Sequence, residues 1–199
     1  MNSLLDLAVH SAPRLEQESV LATITAAFLD DPVARWVWSD DRDHATWFPE
    51  FAAAFGGRAF AYGTADVVAR AQGAALWLPP AVTPDERALE DVVQRAVPAE
   101  RQADLAALMD QMGAFHPAGP HWYLPLIGVA PQCQGRGVGA ALLRHALARC
   151  DTERLPAYLE SSNPRNLSLY RRHGFEVVGT IQAGGSPVMY PMVRPARSV

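Results

Sequence analysis

Two kinds of hydrophobic periodicity alternate along the chain and divide it into helices and strands. Apolar residues spaced three and four positions apart predict helices, and short apolar runs bounded by turn residues predict strands. The predicted helices cover residues 15–29, 44–55, 83 onward, 99–113, 140–150 and 163–173, and the predicted strands cover residues 4–9, 66–70, 74–78, 122–129, 157–160, 175–181 and 188–193. This interleaving predicts a single α/β domain over residues 1–199.

Local signals define two of these elements. Thr83 is a predicted N-cap, because Pro84 follows at the first helical position and Glu86 completes a capping box. Residues 122–129 are apolar throughout, which is typical of a buried central strand. Pro125 lies inside this strand and lacks an N–H group, so we expect a bulge or a missing ladder bond there.

Composition narrows the class of protein. The chain has 199 residues, 49% of them hydrophobic, which is enough for one sizeable core. No apolar run approaches the roughly 20 residues of a membrane span, and no secretory leader is visible. Cys133 and Cys150 have the spacing of neither a disulfide framework nor a metal site. We therefore expect a cytoplasmic protein with no membrane partner.

Charge is distributed unevenly along the chain. Residues 1–130 contain 8 arginines against 17 acidic residues, whereas residues 131–199 contain 9 arginines against 4. An acidic majority argues against a simple nucleic-acid-binding patch. The division would suit an anionic ligand at one end of a site and a cationic one at the other. Chance placement of surface helices is the alternative explanation.

A glycine-rich turn separates the predicted central strand from the helix that follows. Gly135, Gly137 and Gly139 let the backbone approach a ligand closely, and the first N–H groups of a helix have no internal partners. The helix dipole is positive at that end, so the turn is a candidate phosphate site. A tight turn that needs glycine for geometry alone is the alternative.

Two common phosphate-binding motifs fit this turn poorly. No Gly-Lys-Ser/Thr sequence is present, which excludes a P-loop. Residues 135–140 match the Rossmann pattern G-x-G-x-x-A, and Glu160 lies 20 residues beyond Ala140. However, only 39 residues follow Glu160, and they predict a helix and an antiparallel hairpin instead of repeated βαβ units.

Residues 134–139 also satisfy the pattern Q-x-x-G-x-G, directly after a strand that ends at residues 129–131. A second segment combines a strand, a helix opened by Asn163, Tyr170 near its end, and Gly-Phe at residues 174–175. Together the two segments resemble the acetyl-CoA-binding elements of the GNAT superfamily of N-acetyltransferases.

Within that superfamily the layout is most similar to the puromycin N-acetyltransferase group, on residues 128–131, 159–160 and 164–167 followed by Tyr170. The resemblance implies a mixed, mainly antiparallel sheet with a splayed central strand pair and flanking helices. It also implies acetyl transfer from acetyl-CoA to a primary amine of a small molecule by direct attack, without metal, in a monomer or homodimer. A protein or peptide N-acetyltransferase and a non-enzymatic acyl-CoA sensor are the alternatives.

The resemblance suggests where acetyl-CoA would bind. The backbone of the central strand would pair with the pantetheine arm, the turn would hold the pyrophosphate, and one of two asparagines would bond the arm or cap the helix. The residues concerned are Ile127, Gly128, Val129, Gln134, Gly135, Arg136, Gly137, Val138, Gly139, Asn163 and Asn166.

Two residues are candidates for proton transfer. By resemblance, Tyr170 would protonate the departing sulfur, although it could simply pack in the core. An ordinary tyrosine, with a pKa near ~10, is a neutral donor at pH 7. Glu160 could take the amine proton or hold an ammonium group, and an ion pair with an arginine such as Arg165 is the alternative.

The acceptor side is less clearly marked. Pro32 disfavours helix at Asp31, so we expect a loop there that carries Trp36 and Trp38. Asp31, Trp36 and Trp38 would suit a cation with an aromatic group, or they could merely fix the loop. The histidines show no metal-binding spacing, and His121 is expected at the surface or in a turn.

Overall fold

The computed structural model describes residues 7–197 and contains a seven-stranded sheet in the order β1-β2-β3-β4-β5-β7-β6. The strands are β1 Val9–Ser11, β2 Ala65–Val68, β3 Gly73–Leu78, β4 Trp122–Val129, β5 Ala157–Ser161, β6 Glu176–Val177 and β7 Tyr190–Arg194. The helices are α1 Gln17–Ala27, α2 Pro32–Val37, α3 Asp41–Gly56, α4 Ala59–Tyr62, α5 Glu86–Ala96, α6 Ala99–Phe115, α7 Val138–Glu153 and α8 Leu167–Arg172. Every neighbouring strand pair is antiparallel except β4 and β5, which confirms the mixed, mainly antiparallel sheet.

The strands β4 and β5 are paired only at their beginnings. Trp122 lies opposite Ala157 and Tyr123 opposite Tyr158, and no further pairs form along the two strands. On its other edge β4 stays paired with β3 as far as Val129. The splay therefore leaves one edge of β4 open along most of its length, as the sequence resemblance implied.

A bulge interrupts the β3–β4 ladder at the position of Pro125. Leu76 pairs with Leu126 and Leu78 with Tyr123, so β4 contains one more residue than β3 over this stretch. A bulged residue needs no ladder bond, which accommodates a proline that cannot donate one. The expected irregularity is confirmed.

Hydrophobic layers cover both faces of the sheet. One face packs against α1, α3, α5 and α6 around aromatic residues such as Phe48 and Phe55, and Tyr123 and Tyr158 of the sheet lie in this layer. The other face packs against α7 and α8 around leucines. Trp122 and Tyr123 belong to opposite layers, as the alternation of side chains along a strand requires.

Two predicted helix boundaries are wrong for reasons of capping. The N-cap of α5 is Asp85, whose carboxylate accepts from the Ala88 N–H at 3.2 Å, so Thr83 and Pro84 precede the helix. The loop predicted after Asp31 is instead the short helix α2. Proline disfavours helix in the residue before it, but it is well suited to the first helical position, which Pro32 occupies.

The remaining differences concern element lengths. The first strand was expected over residues 4–9; residues 4–6 lie outside the described part, and the strand occupies Val9–Ser11. The helix expected over residues 163–173 consists of a 3₁₀ turn, Pro164–Asn166, followed by α8. The strand expected over residues 175–181 is regular only over Glu176–Val177, with an isolated bridge at residue 181.

Candidate active site

A cleft of about 660 Å³ lies where β4 and β5 diverge. One end is formed by the glycine turn before α7, and the other end is an apolar chamber between α2, α3, α5 and α6. Between these ends the walls carry Asp31, Glu160, Ser162 and Tyr170. The splay of the sheet thus brings most of the predicted site residues around one space.

The turn before α7 leaves its backbone N–H groups available to a ligand. Gly137 is the N-cap of the helix, with φ of 85°, and no side chain among residues 7–197 caps the helix there. The side-chain amide of Gln134 donates to the Val129 carbonyl at 3.2 Å, which braces the turn against β4. All the predicted turn residues line the cleft except Arg136, which is exposed outside it.

The open edge of β4 presents backbone N–H groups to the cleft. The Ala130 N–H donates to the Gln72 carbonyl on the β3 side. Because backbone N–H groups alternate between the two edges of a strand, those of Ile127 and Val129 point into the splay. Gly128 lets α1 pack directly on the strand, since a Cβ there would lie 2.8 Å from the Cβ of Ala27.

Tyr170 is buried and reaches the cleft from α8. Its ring packs edge-on against Phe175, with 6.1 Å between ring centroids. Burial raises the pKa of its hydroxyl well above the usual value, and the nearby charge of Asp31 adds to this effect. The hydroxyl is therefore protonated and neutral at physiological pH.

Asp31 joins the α1–α2 connection to the end of β5. Its Oδ1 accepts from the N–H groups of Val33 and Ala34, which caps α2. Its Oδ2 accepts from the Ser162 hydroxyl at 2.5 Å. Burial raises the pKa of this carboxyl, and the hydrogen bonds partly oppose that shift.

The two tryptophans predicted on the acceptor side have different positions. Trp38 lines the cleft and is buried, and its indole N–H donates to the Ala96 carbonyl at 3.1 Å. Trp36 lies outside the cleft lining, where its ring faces the guanidinium of Arg101 at 5.9 Å.

The two predicted asparagines, Asn163 and Asn166, both line the cleft. The side chain of Asn163 accepts from the Arg165 N–H at 3.1 Å, which caps the 3₁₀ turn.

Glu160 is a buried carboxyl group at the floor of the cleft. Its side chain is 2% exposed, and its Oε2 accepts from the Tyr123 hydroxyl at 2.9 Å. Its Oε1 has no hydrogen-bond partner in the described part of the chain and lies 3.7 Å from His116 Nε2. Burial raises the pKa of the carboxyl to about 7, although the hydrogen bond from Tyr123 and the nearby hydroxyl of Tyr158 oppose the shift. The alternative ion pair between Glu160 and Arg165 does not form.

Several residues in or beside the cleft were not foreseen. Ser162 contacts Asp31 and Arg172 lines the cleft, whereas Tyr123 and His116 approach Glu160 from outside the cleft lining. The spacing of Tyr158 and Glu160, two positions apart on one strand, is a sequence signal that these two side chains share a face, but the pairing of β4 with β5 that brings Tyr123 to the acid had none. His116 had no such signal, because its position depends on where α6 ends.

Two further observations describe what residues 7–197 lack. Within this range, no three His, Cys, Asp or Glu side chains are grouped so that they could hold a metal ion. No helix in the same range has the length and hydropathy needed to cross a membrane. The expectation of a metal-free reaction stays a prediction.

Comparison with known proteins identifies relatives for this arrangement. A model described as the acetyltransferase (GNAT) family matches residues 3–175. An uncharacterized N-acetyltransferase of Schizosaccharomyces pombe is 43% identical over 54 residues, which make up 27% of this chain and 22% of that protein. The chain spans about a quarter of the length of the curated relatives that it matches.

Solved acetyltransferase structures are similar over nearly the whole chain. A structure from Corynebacterium glutamicum, described as histone acetyltransferase HPA2 and related acetyltransferase, has a TM-score of 0.67 at 26% identity and covers 96% of this chain and 97% of its own. A polyamine N-acetyltransferase of Drosophila melanogaster has a TM-score of 0.66 at 13% identity, covering 94% and 99% respectively. These likenesses confirm the fold that the sequence resemblance implied. The chain belongs to the acetyltransferase (GNAT) family, whose members are acyl-CoA-dependent acetyltransferases.

Proposed function

We propose that the protein transfers an acetyl group from acetyl-CoA to the primary amine of an apolar small molecule by direct attack. The observation that carries this proposal is the position of Glu160, a buried carboxyl between an open strand edge and an apolar chamber. Family membership supports the acetyl donor, and the chamber supports the kind of acceptor.

The cleft residues fit acetyl-CoA. The uncapped N-terminus of α7, with Gly137 as its N-cap, offers N–H donors and a positive dipole to a pyrophosphate. The N–H groups of Ile127 and Val129 suit the amide carbonyls of a pantetheine arm laid along β4. Arg165 and Arg172 add positive charge at the cleft wall. Acetyl-CoA would supply the acetyl group as a thioester.

Glu160 and Tyr170 divide the proton transfers between them. A carboxyl with a pKa of about 7 is partly ionised at neutral pH, so Glu160 can take a proton from an ammonium group and leave a nucleophilic amine. Tyr170 keeps its proton and can donate it to the departing sulfur. The Val129 N–H is the proposed donor to the thioester oxygen.

The chamber suits an amine with an apolar body. None of the side chains deep in the chamber is charged, so a second cationic group there would be desolvated without a partner. The acids at the cleft are Asp30, Asp31 and Glu160, and all lie toward its middle. The walls of the chamber are formed by Trp38, Phe48, Phe51, Phe55, Val92, Val93, Val97, Leu105, Leu108, Met109, Met112 and Met189.

Structural neighbours include an agmatine N-acetyltransferase, a polyamine N-acetyltransferase and arylalkylamine N-acetyltransferase-like proteins. They support a small-molecule amine as the acceptor class. The uncharged chamber favours an arylalkylamine over a polyamine for this chain.

Release of free thiol from acetyl-CoA tests the proposal. We expect phenethylamine and tryptamine to be acetylated at least tenfold more efficiently, by kcat/KM, than spermidine or a peptide with a free N-terminus. Faster acetylation of the peptide would indicate a protein acetyltransferase. Binding of acetyl-CoA without thiol release in the presence of any of these amines would indicate a sensor and overturn the enzymatic proposal.

Substitution of Tyr170, the proposed proton donor to the sulfur, gives a second test. Tyr170→Phe should lower kcat at least tenfold, because the departing sulfur loses its proton donor. The Kd for acetyl-CoA, measured by calorimetry, should not change. The matched control is Tyr62→Phe, which alters an exposed tyrosine on α4. Unchanged turnover in Tyr170→Phe would remove this hydroxyl from the reaction.

We also propose that residues 1–199 form a single acetyltransferase domain of the puromycin N-acetyltransferase group, acting in the cytoplasm as a monomer or homodimer without nucleic acid or membrane partners. The sequence similarity at residues 128–131, 159–160 and 164–167 supports the group. Cys133 and Cys150 are free, which agrees with a reducing compartment.

A further inference from the structure

A series of side-chain nitrogens leads away from Glu160, on the side opposite the glycine turn before α7. Glu160 Oε1 lies 3.7 Å from His116 Nε2. His116 Nδ1 lies 3.0 Å from His121 Nε2. His121 Nδ1 lies 2.8 Å from the Gly119 carbonyl oxygen. The residues concerned come from β5, from the end of α6 and from the loop before β4.

The Gly119 carbonyl fixes which nitrogens donate and which accept in this series. A carbonyl oxygen only accepts, so His121 Nδ1 carries the hydrogen and donates it. In a neutral imidazole the other nitrogen is then an acceptor, so His121 Nε2 accepts from the Nδ1–H of His116. His116 Nε2 is therefore unprotonated, and this lone pair faces the unpartnered oxygen of Glu160.

This series of nitrogens ends at a second cleft. This cleft of about 310 Å³ is lined by His116, Gly119, His121 and Tyr123, together with residues 79–84. His116 is 29% exposed, whereas the Glu160 side chain is 2% exposed. The two histidines thus connect a carboxyl that water hardly reaches with a surface that water does reach.

We propose that His116 and His121 form a proton relay that carries the amine proton from Glu160 to solvent through the second cleft. The relay rests on the proposed function, because its proton originates on the acceptor ammonium. It gives the active site a proton exit that stays open when substrates fill the cleft.

The protons balance in the following way. An ammonium group loses two protons in becoming an amide nitrogen. One replaces the proton that Tyr170 gives to the sulfur, and the other passes from Glu160 to His116 Nε2. As His116 takes up this proton it releases the one on Nδ1 to His121 Nε2, and His121 releases its own Nδ1 proton to solvent. Both rings then carry hydrogen on Nε2, and exchange with water in the second cleft or ring rotation must restore the Nδ1–H forms before the next turnover. Each turnover thus delivers one proton to the second cleft.

The surroundings of His116 favour transfer of the proton onward over its retention on the imidazole. His116 packs between the rings of Tyr123 and Tyr158, with centroids 4.6 and 4.4 Å away, and Glu160 is the one carboxylate in contact with it among the described residues. Burial lowers the His116 pKa to about 4, and a proton on His121 would act in the same direction. A charged His116 is therefore short-lived, which suits a relay. The 3.7 Å gap exceeds a hydrogen bond and requires a small ring movement to close.

Variant kinetics test the relay. His116→Phe keeps the packing against the two tyrosines but removes both nitrogens. We expect kcat with phenethylamine at pH 7 to fall at least tenfold, KM for acetyl-CoA to stay unchanged, and added imidazole to restore part of the lost rate. His121→Gln breaks only the outer link and should show a smaller, imidazole-sensitive loss. His10→Gln, at an exposed histidine on β1, is the matched control.

A measurement without acceptor separates this inference from the proposed function. Long-range ¹H–¹⁵N correlation spectra of histidine-labelled protein at pH 7.5 should show the Nδ1–H tautomer at both His116 and His121. An Nε2–H tautomer at His116, or wild-type kcat and pH profile in His116→Phe, would overturn the relay. A rate loss that imidazole does not restore would assign His116 a merely structural role. If no amine is acetylated by the wild type, the proposed function fails whatever tautomers are found.

Discussion

Glu160 shows how strongly the surroundings of one side chain determine its chemistry. An exposed glutamate is fully ionised at pH 7, but this carboxyl is buried with one oxygen on Tyr123 and the other unpartnered. Burial disfavours the charged form, which raises the pKa to about 7. The residue is therefore useful as a base near neutral pH, and its ionisation has a cost in stability.

That cost predicts a pH-dependent effect of Glu160→Gln on stability. The carboxyl pKa rises from 4.5 to about 7 on folding, so the stability this group contributes is fully present below pH 4.5 and is lost as the pH rises to 7. A shift of this size corresponds to about 3 kcal/mol. We expect the variant to exceed the wild type in free energy of unfolding by up to this amount at pH 8, and to match it at pH 4.

Urea denaturation at the two pH values measures the effect. Glu176→Gln, on the exposed side of β6, is the control and should show no such pH dependence. An equal difference between variant and wild type at both pH values would mean that Glu160 is not perturbed by burial. The same Glu160→Gln variant should lose most of its acetyl transfer, because its side chain cannot take a proton.

Among the elements, α7 begins at an N-cap whose structural features also suit a bound ligand. Gly137 has a positive φ and caps the helix without a side-chain bond, so the turn is held in a conformation that other residues rarely adopt. The N–H groups that a capping side chain would normally occupy are left for a ligand. The glycine turn and the open edge of β4 lie on the same side of the cleft.

Gly137→Ala should therefore destabilise the protein by about 1–2 kcal/mol, the cost of a left-handed conformation for an L-residue. It should also weaken acetyl-CoA binding several-fold, because the turn must relax. Thermal unfolding and calorimetric titration measure the two effects. Gly113→Ala in α6, where an added Cβ meets nothing within 4 Å, is the control and should be neutral or stabilising. Equal stability of the two variants would contradict the strained-turn account.

For the whole molecule, the contact between Ser162 and Asp31 joins parts of the chain that are 131 residues apart. Asp31 belongs to the acidic part of the chain, and Ser162 follows β5 in the basic part. The hydrogen bond closes the middle of the cleft, between the glycine turn and the apolar chamber. The charge division in the sequence thus corresponds in part to two sides of one site, although Glu160 itself lies in the basic part.

Ser162→Ala tests this connection without disturbing the cap of α2, which uses the other oxygen of Asp31. Leaving a buried carboxylate oxygen without its partner should cost about 1–3 kcal/mol in stability. We expect KM for the amine to rise more than KM for acetyl-CoA, because the acceptor side loses its anchor. Ser168→Ala, at an exposed cleft position on α8, is the control. Equal changes in both KM values would show that Ser162 does not act on the acceptor side specifically.

Elements whose conformation depends on nearby residues could be predicted from the sequence. The glycine turn, the uniformly apolar β4 and the proline bulge follow from backbone sterics and burial, which nearby residues control. Tyr170 could be singled out by the resemblance to the GNAT elements, because the order of strand, Asn163, Tyr170 and Gly-Phe at residues 174–175 is a property of the linear chain. The boundary of α5 was misplaced because competing caps at residues 83 and 85 have similar strength.

Tertiary structure decided what depends on distant partners. Whether Trp36 or Trp38 faces the cleft follows from the direction in which α2 packs, which Asp31 sets by capping that helix. The raised pKa of Glu160 and its proximity to His116 arise from residues of α6, β4 and β5 that meet only after folding. Burial, charge and tautomer are properties of a three-dimensional neighbourhood, so the sequence alone determined the glycine turn and the choice of Tyr170 as a candidate, and the fold determined the surroundings of Glu160 and the shape of the apolar chamber.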